Sequence, residues 1–127
     1  MVTTDLLYER LHENSGKMLR NKGIVFQEYP HINLPIDGKS IKLRFDFLLP
    51  KHLSIISCRP LEHRLCAEFS AEFRSLYQKK LVELRENIMN NGYSFAIIDP
   101  YREYNMTKLW PFTFTSIEDF IYTNLML

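Results

Sequence analysis

With 127 residues, 46% of them apolar, the chain is the size of one domain holding one sizeable core, and residues 1–127 are expected to fold as a single unit. The 16 Lys and Arg against 15 Asp and Glu leave a formal charge of +1, which excludes a chain-wide pull toward polyanions, so any nucleic-acid affinity has to come from a local patch. No run approaches the roughly 18 apolar residues of a membrane span, Met1 to Asp5 lacks the pattern of a signal peptide, and Cys58 and Cys66 lack zinc-ligand spacing, so a soluble cytoplasmic protein with free buried thiols is expected.

Thr3-Thr4-Asp5 precedes Leu6, Leu7, Leu11, Met18 and Leu19, whose spacing predicts one face of a helix that Thr4 or Asp5 caps and Asn21-Lys22-Gly23 ends. Ile24 to Tyr29 is β-prone and closes at Pro30, and Pro35-Ile36-Asp37-Gly38-Lys39 is turn chemistry between strands. A hairpin with strands Lys42 to Leu49 and Leu53 to Cys58 follows, joined at Pro50-Lys51-His52. On its first strand Phe45 and Phe47 are expected on the face opposite Asp46.

Arg59 to Arg64 reads as a loop. Phe69, Phe73, Leu76, Tyr77, Leu81, Leu84 and Ile88 then recur at helical spacing up to Asn90-Asn91-Gly92. Tyr93 to Asp99 is a buried strand stopped by Pro100, Leu109 to Phe114 is a further extended piece, and Ser116-Ile117-Glu118-Asp119 opens a C-terminal helix reaching about Met126. The order predicts an α/β fold with a mixed central sheet of four to five strands flanked by helices, and a parallel crossover through the long helix.

Chemistry-bearing residues are sparse. Asp46 stands on the hairpin near Ser57-Cys58-Arg59, Glu9 and Glu13 can each face it from the first helix, and Glu62, His63, Arg64, Glu68 and Glu72 gather before and on the long helix. Lys79, Lys80, Arg102, Lys108 and Trp110 combine cations with a ring in the manner of a nucleic-acid contact surface. The rings of Tyr29, Tyr101, Tyr104, Trp110 and Phe112 can equally pave a contact with a second copy or a partner subunit. The four histidines, His12, His31, His52 and His63, fall on four different elements, which gives a histidine nucleophile or metal cluster little support.

From Thr4 to Asp99 this order, with an acid on the first helix and the Arg44-Phe45-Asp46-Phe47 hairpin, resembles the PD-(D/E)XK nuclease superfamily, the restriction endonuclease-like enzymes. The resemblance matches the family's helical acid to Glu9, its strand acid to Asp46 and its Glu-x-Lys triplet to Ser57-Cys58-Arg59, with Gln27 to Pro30 similar to its second strand. It implies a DNA-acting protein in which Asp46 and Glu9 hold Mg²⁺, helped by a main-chain carbonyl near Cys58, while Arg59 grips phosphate. Ser57 departs from the motif by removing a carboxylate. Arg59 keeps the charge of Lys but does not readily give up a proton. Two readings follow: slow Mg²⁺-dependent phosphodiester hydrolysis, with Glu68 or Glu72 as the replacement acid, or a catalytically inactive nuclease-like subunit that binds and assembles.

Overall fold

The computed structural model describes residues 4–59, 71–101 and 110–125. In chain order these form α1 (Thr4–Asn21), β1 (Gln27–Glu28), β2 (His31–Ile36), β3 (Lys39–Arg44), β4 (Phe47–Leu49), β5 (Ser54–Cys58), α2 (Ala71–Asn90), β6 (Ser94–Ile98), a 3-10 turn (Trp110–Phe112), β7 (Thr113–Phe114) and α3 (Ile117–Asn124). The fold is α/β. Among the described residues the main sheet has five strands in the order β1-β4-β5-β6-β7, and β2 and β3 form a separate two-stranded ribbon. The β1–β4 and β4–β5 pairs are antiparallel, and β5–β6 and β6–β7 are parallel. No helix among the described residues is long and apolar enough to cross a membrane.

Every residue of β5 is buried, as a central strand covered on both faces requires. Its side chains alternate between two cores. Ile55, with Phe95 and Ile97 of β6, packs on Leu81 and Ile88 of α2, whereas Ile56 and Cys58, with Ala96 and Ile98, pack on Leu19 of α1 and Ile117, Phe120 and Ile121 of α3. So α2 covers one face of the sheet, and α1 and α3 cover the other.

The stop expected at Gly23 forms as a Schellman-type end. Gly23 N–H donates to Arg20 O (3.0 Å) and Ile24 N–H to Leu19 O (2.9 Å), with Gly23 at φ 69°. The helix start is at Thr4, and the capping side chains of Thr4 and Asp5 lie outside the description. Because the cap uses the Ile24 N–H, the strand expected from Ile24 shrinks to Gln27–Glu28. Ile24 and Phe26 instead pack against the α1-side core.

The strand expected from Lys42 to Leu49 is broken at Phe45-Asp46. One register runs through the break, with Glu28 opposite Phe47 and His31 opposite Arg44, and Tyr29 N–H to Asp46 O (2.9 Å) and Phe45 N–H to Pro30 O (3.1 Å) span it. The elements from Gln27 to Leu49 are thus one long hairpin bent at Tyr29-Pro30. Pro30 has no N–H to donate, and Tyr29 takes a left-handed φ of 50° that costs a non-glycine residue on the order of 1 kcal/mol or more. The bend also corrects the expected facing of the two rings. Phe45 enters the α2-side core and Phe47 the α1-side core, so the pair straddles the sheet.

Candidate functional site

At the bend, Asp46 is 4% exposed. Its Oδ1 accepts Tyr8 OH at 2.5 Å and His12 Nδ1 at 2.8 Å, and its Oδ2 accepts the Cys58 main-chain N–H at 2.7 Å. A carboxylate is acceptor-only, so the His12 proton sits on Nδ1. Tyr8, His12 and Ser15 line one stripe of α1 at i, i+4, i+7 spacing, and Ser15 Oγ lies 4.0 Å from Cys58 Sγ. The helix therefore lays polar groups over Asp46 and aliphatic Leu19 over the core below it.

The His12 ring is sandwiched between Tyr29, at 4.4 Å and 3° between planes, and Phe47, at 4.5 Å and 16°. The Arg44 guanidinium lies 4.7 Å from the Tyr29 ring centre. His12 Nε2 is 3.4 Å from Glu28 Oε1 but makes no hydrogen bond, and Glu28 Oε2 is 3.8 Å from Arg20 Nη2. His12 and Glu28 border a hollow of about 250 Å³ between α1 and β1, lined also by Glu13, Gly16, Lys17 and Arg20.

Burial raises the Tyr8 phenol above its ordinary value, and the hydrogen bond to Asp46 and the carboxylate charge add to the rise. Burial also raises the Cys58 thiol, followed by the Asp46 charge, with Ser15 acting in the opposite sense. Cys58 is free and buried, an inert thiol rather than a nucleophile.

Asp46 and the Ser57-Cys58-Arg59 triplet come together, but through main chain. Ser57 pairs with Ile97, which faces α2, so its side chain points away from the α1 side where the Asp46 carboxylate is held. Arg59 Nε donates to Ser57 Oγ at 3.0 Å. Glu9 and Glu13 are exposed, and the α1 side chains that reach Asp46 are Tyr8 and His12.

Lys79 and Lys80 are exposed on α2, and Glu72, also exposed, borders a hollow there with Ser75, Leu76 and Lys79. Glu62, His63, Arg64, Glu68, Cys66, Arg102, Tyr104 and Lys108 lie outside the described residues, as does the Trp110 side chain.

The Mg²⁺ implied by the nuclease resemblance does not fit these donors. Mg²⁺ takes oxygen ligands at about 2.0–2.1 Å in near-octahedral array. Three protein donors already fill most of the roughly four acceptor directions of Asp46, and Ser57 accepts from Arg59. Among the described residues no three His, Cys, Asp or Glu side chains gather as ligands. Reading the sequence singled out Asp46 but missed Tyr8, His12 and Glu28. The available signal was the polar stripe Tyr8-His12-Ser15 running beside the apolar positions of α1. No family model, curated protein or solved structure matches the chain.

Proposed function

We propose that this chain is a nuclease-like protein that binds DNA and assembles with partners, and that the Asp46 centre holds the fold together rather than hydrolysing phosphodiesters. The observation that carries this reading is the set of donors on Asp46. A phenol, an imidazole N–H and a peptide N–H stand where the resemblance calls for a divalent ion, so positive hydrogen-bond dipoles replace the cation. The kinship itself is supported by the element order: a helix, an antiparallel β1-β4-β5 unit, a long helix and a parallel β6.

The test is nicking of supercoiled DNA with Mg²⁺ or Mn²⁺, alongside calorimetric titration of the wild-type protein with each metal. The expected result is no nicking that differs between wild type and Asp46→Asn, and no metal binding at a one-to-one ratio. Stoichiometric Mn²⁺ binding by wild type, or nicking that Asp46→Asn abolishes while melting as a folded protein, overturns the proposal. The metal titration needs no variant, so it decides even where Asp46→Asn does not fold.

A further inference from the structure

The β2–β3 ribbon presents one face to the molecule and one to solvent. Ile32, Leu34, Ile36 and Leu43 pack against the α2-side core. The opposite phase, His31, Asn33 and Pro35 on β2 and Ser40, Lys42 and Arg44 on β3, is exposed throughout. Registered pairs put His31 beside Arg44 and Asn33 beside Lys42, so basic and hydrogen-bonding side chains form two adjacent rungs. Lys39 stands exposed at the tip but on the other phase, paired with Ile36. From His31 to Arg44 the only carboxylate is Asp37, in the turn, against Lys39, Lys42 and Arg44.

A solvated salt-bridge lattice is the ordinary explanation for such a face, and it requires acidic partners. Among the described residues none of Lys39, Lys42 and Arg44 has an ion pair. Arg44 is instead held over Tyr29, which itself stacks on His12. The ribbon is therefore anchored at its base and by its apolar face, with its cations uncompensated, in a protein whose overall charge is only +1.

We propose that the exposed face of this ribbon is the surface on which duplex DNA docks, Lys42 and Arg44 contacting phosphates, with Asn33 and His31 beside them as hydrogen-bonding neighbours. A two-stranded antiparallel ribbon is of the right width for the major groove, and its cations gain by releasing condensed counterions. This inference rests on the DNA-binding reading above and adds to it the surface and the form of nucleic acid.

The experiment is a fluorescence-anisotropy titration of a labelled mixed-sequence duplex of about 20 bp at several salt concentrations between about 50 and 200 mM. It compares wild type, Lys42→Ala/Arg44→Ala, Lys42→Arg and, on α2, Lys79→Ala/Lys80→Ala, each checked by circular dichroism and melting. The ribbon double variant is expected to bind about tenfold more weakly at the lowest salt and to lower the salt slope by about two. Lys42→Arg and the α2 variant are expected to match wild type. Wild-type binding that the ribbon variant leaves unchanged overturns the ribbon while the DNA reading stands. Absence of wild-type binding at every salt concentration removes the DNA reading as well.

Discussion

Tyr8 contributes to stability in two separable ways. Its hydroxyl satisfies a buried carboxylate, so Tyr8→Phe leaves an acceptor direction of Asp46 unfilled and is expected to cost about 1–2 kcal/mol at neutral pH by chemical denaturation. Its raised phenol pKa acts only in alkali. A group that holds its proton more tightly when folded contributes stability that is complete below its unfolded pKa and is lost as pH climbs through the folded one. For Tyr8 the decline therefore begins above the ordinary phenol value of 10.0, and for Cys58 above the ordinary thiol value of 9.0. Wild type is expected to lose melting temperature from about pH 9 upward, and Tyr8→Phe to lose less of it above pH 10. Equal alkaline slopes for the two proteins would show that burial and Asp46 do not raise the phenol. Asp46 was legible as an unusual residue because an acid between two phenylalanines on a strand needs a reason. Its partners were not. Tyr8 and His12 acquire their roles from a helix crossing a bend 34 to 38 residues away, and no local pattern carries that crossing.

At the scale of elements, α3 shows how much local chemistry fixes by itself. Ser116, extended at φ −152° and ψ 159°, accepts the Asp119 N–H at 3.0 Å, and Glu118 and Asp119 sit where the helix dipole favours negative charge. Ser116→Ala is expected to cost about 1 kcal/mol in denaturant unfolding. A cost near zero would mean that docking of Ile117, Phe120 and Ile121, rather than the cap, sets the start of the helix. The capping signal placed this start correctly in the sequence, as Asn21-Lys22-Gly23 placed the end of α1 and the apolar run before Pro100 placed β6, because each depends on neighbours within a few residues. The bend at Tyr29-Pro30 escaped. Lys42 to Leu49 reads as one strand since its composition is β-prone throughout, and the break is imposed by its partner strand, where a proline and a left-handed tyrosine interrupt the ladder. The Asp37-Gly38 turn, with both residues at positive φ, was legible for the opposite reason: two-residue hairpin turns demand that conformation and those residue types supply it.

At the scale of the whole molecule, the sheet separates two cores that share their strands. Ile88 of α2 is fully buried on one face and Ile121 of α3 is 1% exposed on the other. A conservative truncation in each probes whether the faces act as one folding unit. Ile88→Val and Ile121→Val are each expected to cost about 0.5–1.5 kcal/mol, the loss of one buried methylene with little room to relax. Since the two side chains belong to different clusters, the double variant should equal the sum of the singles within about 0.5 kcal/mol. Additivity of energy is compatible with a single transition, because β5 and β6 contribute alternate residues to both cores and neither face can lose its sheet without exposing the other. Far-ultraviolet circular dichroism and tyrosine fluorescence should therefore report one coincident unfolding curve for wild type and all three variants. Two resolved transitions, with Ile88→Val shifting one and Ile121→Val the other, would divide the chain into separately folding halves and detach the Asp46 centre, which lies on the α1 side, from the α2 face.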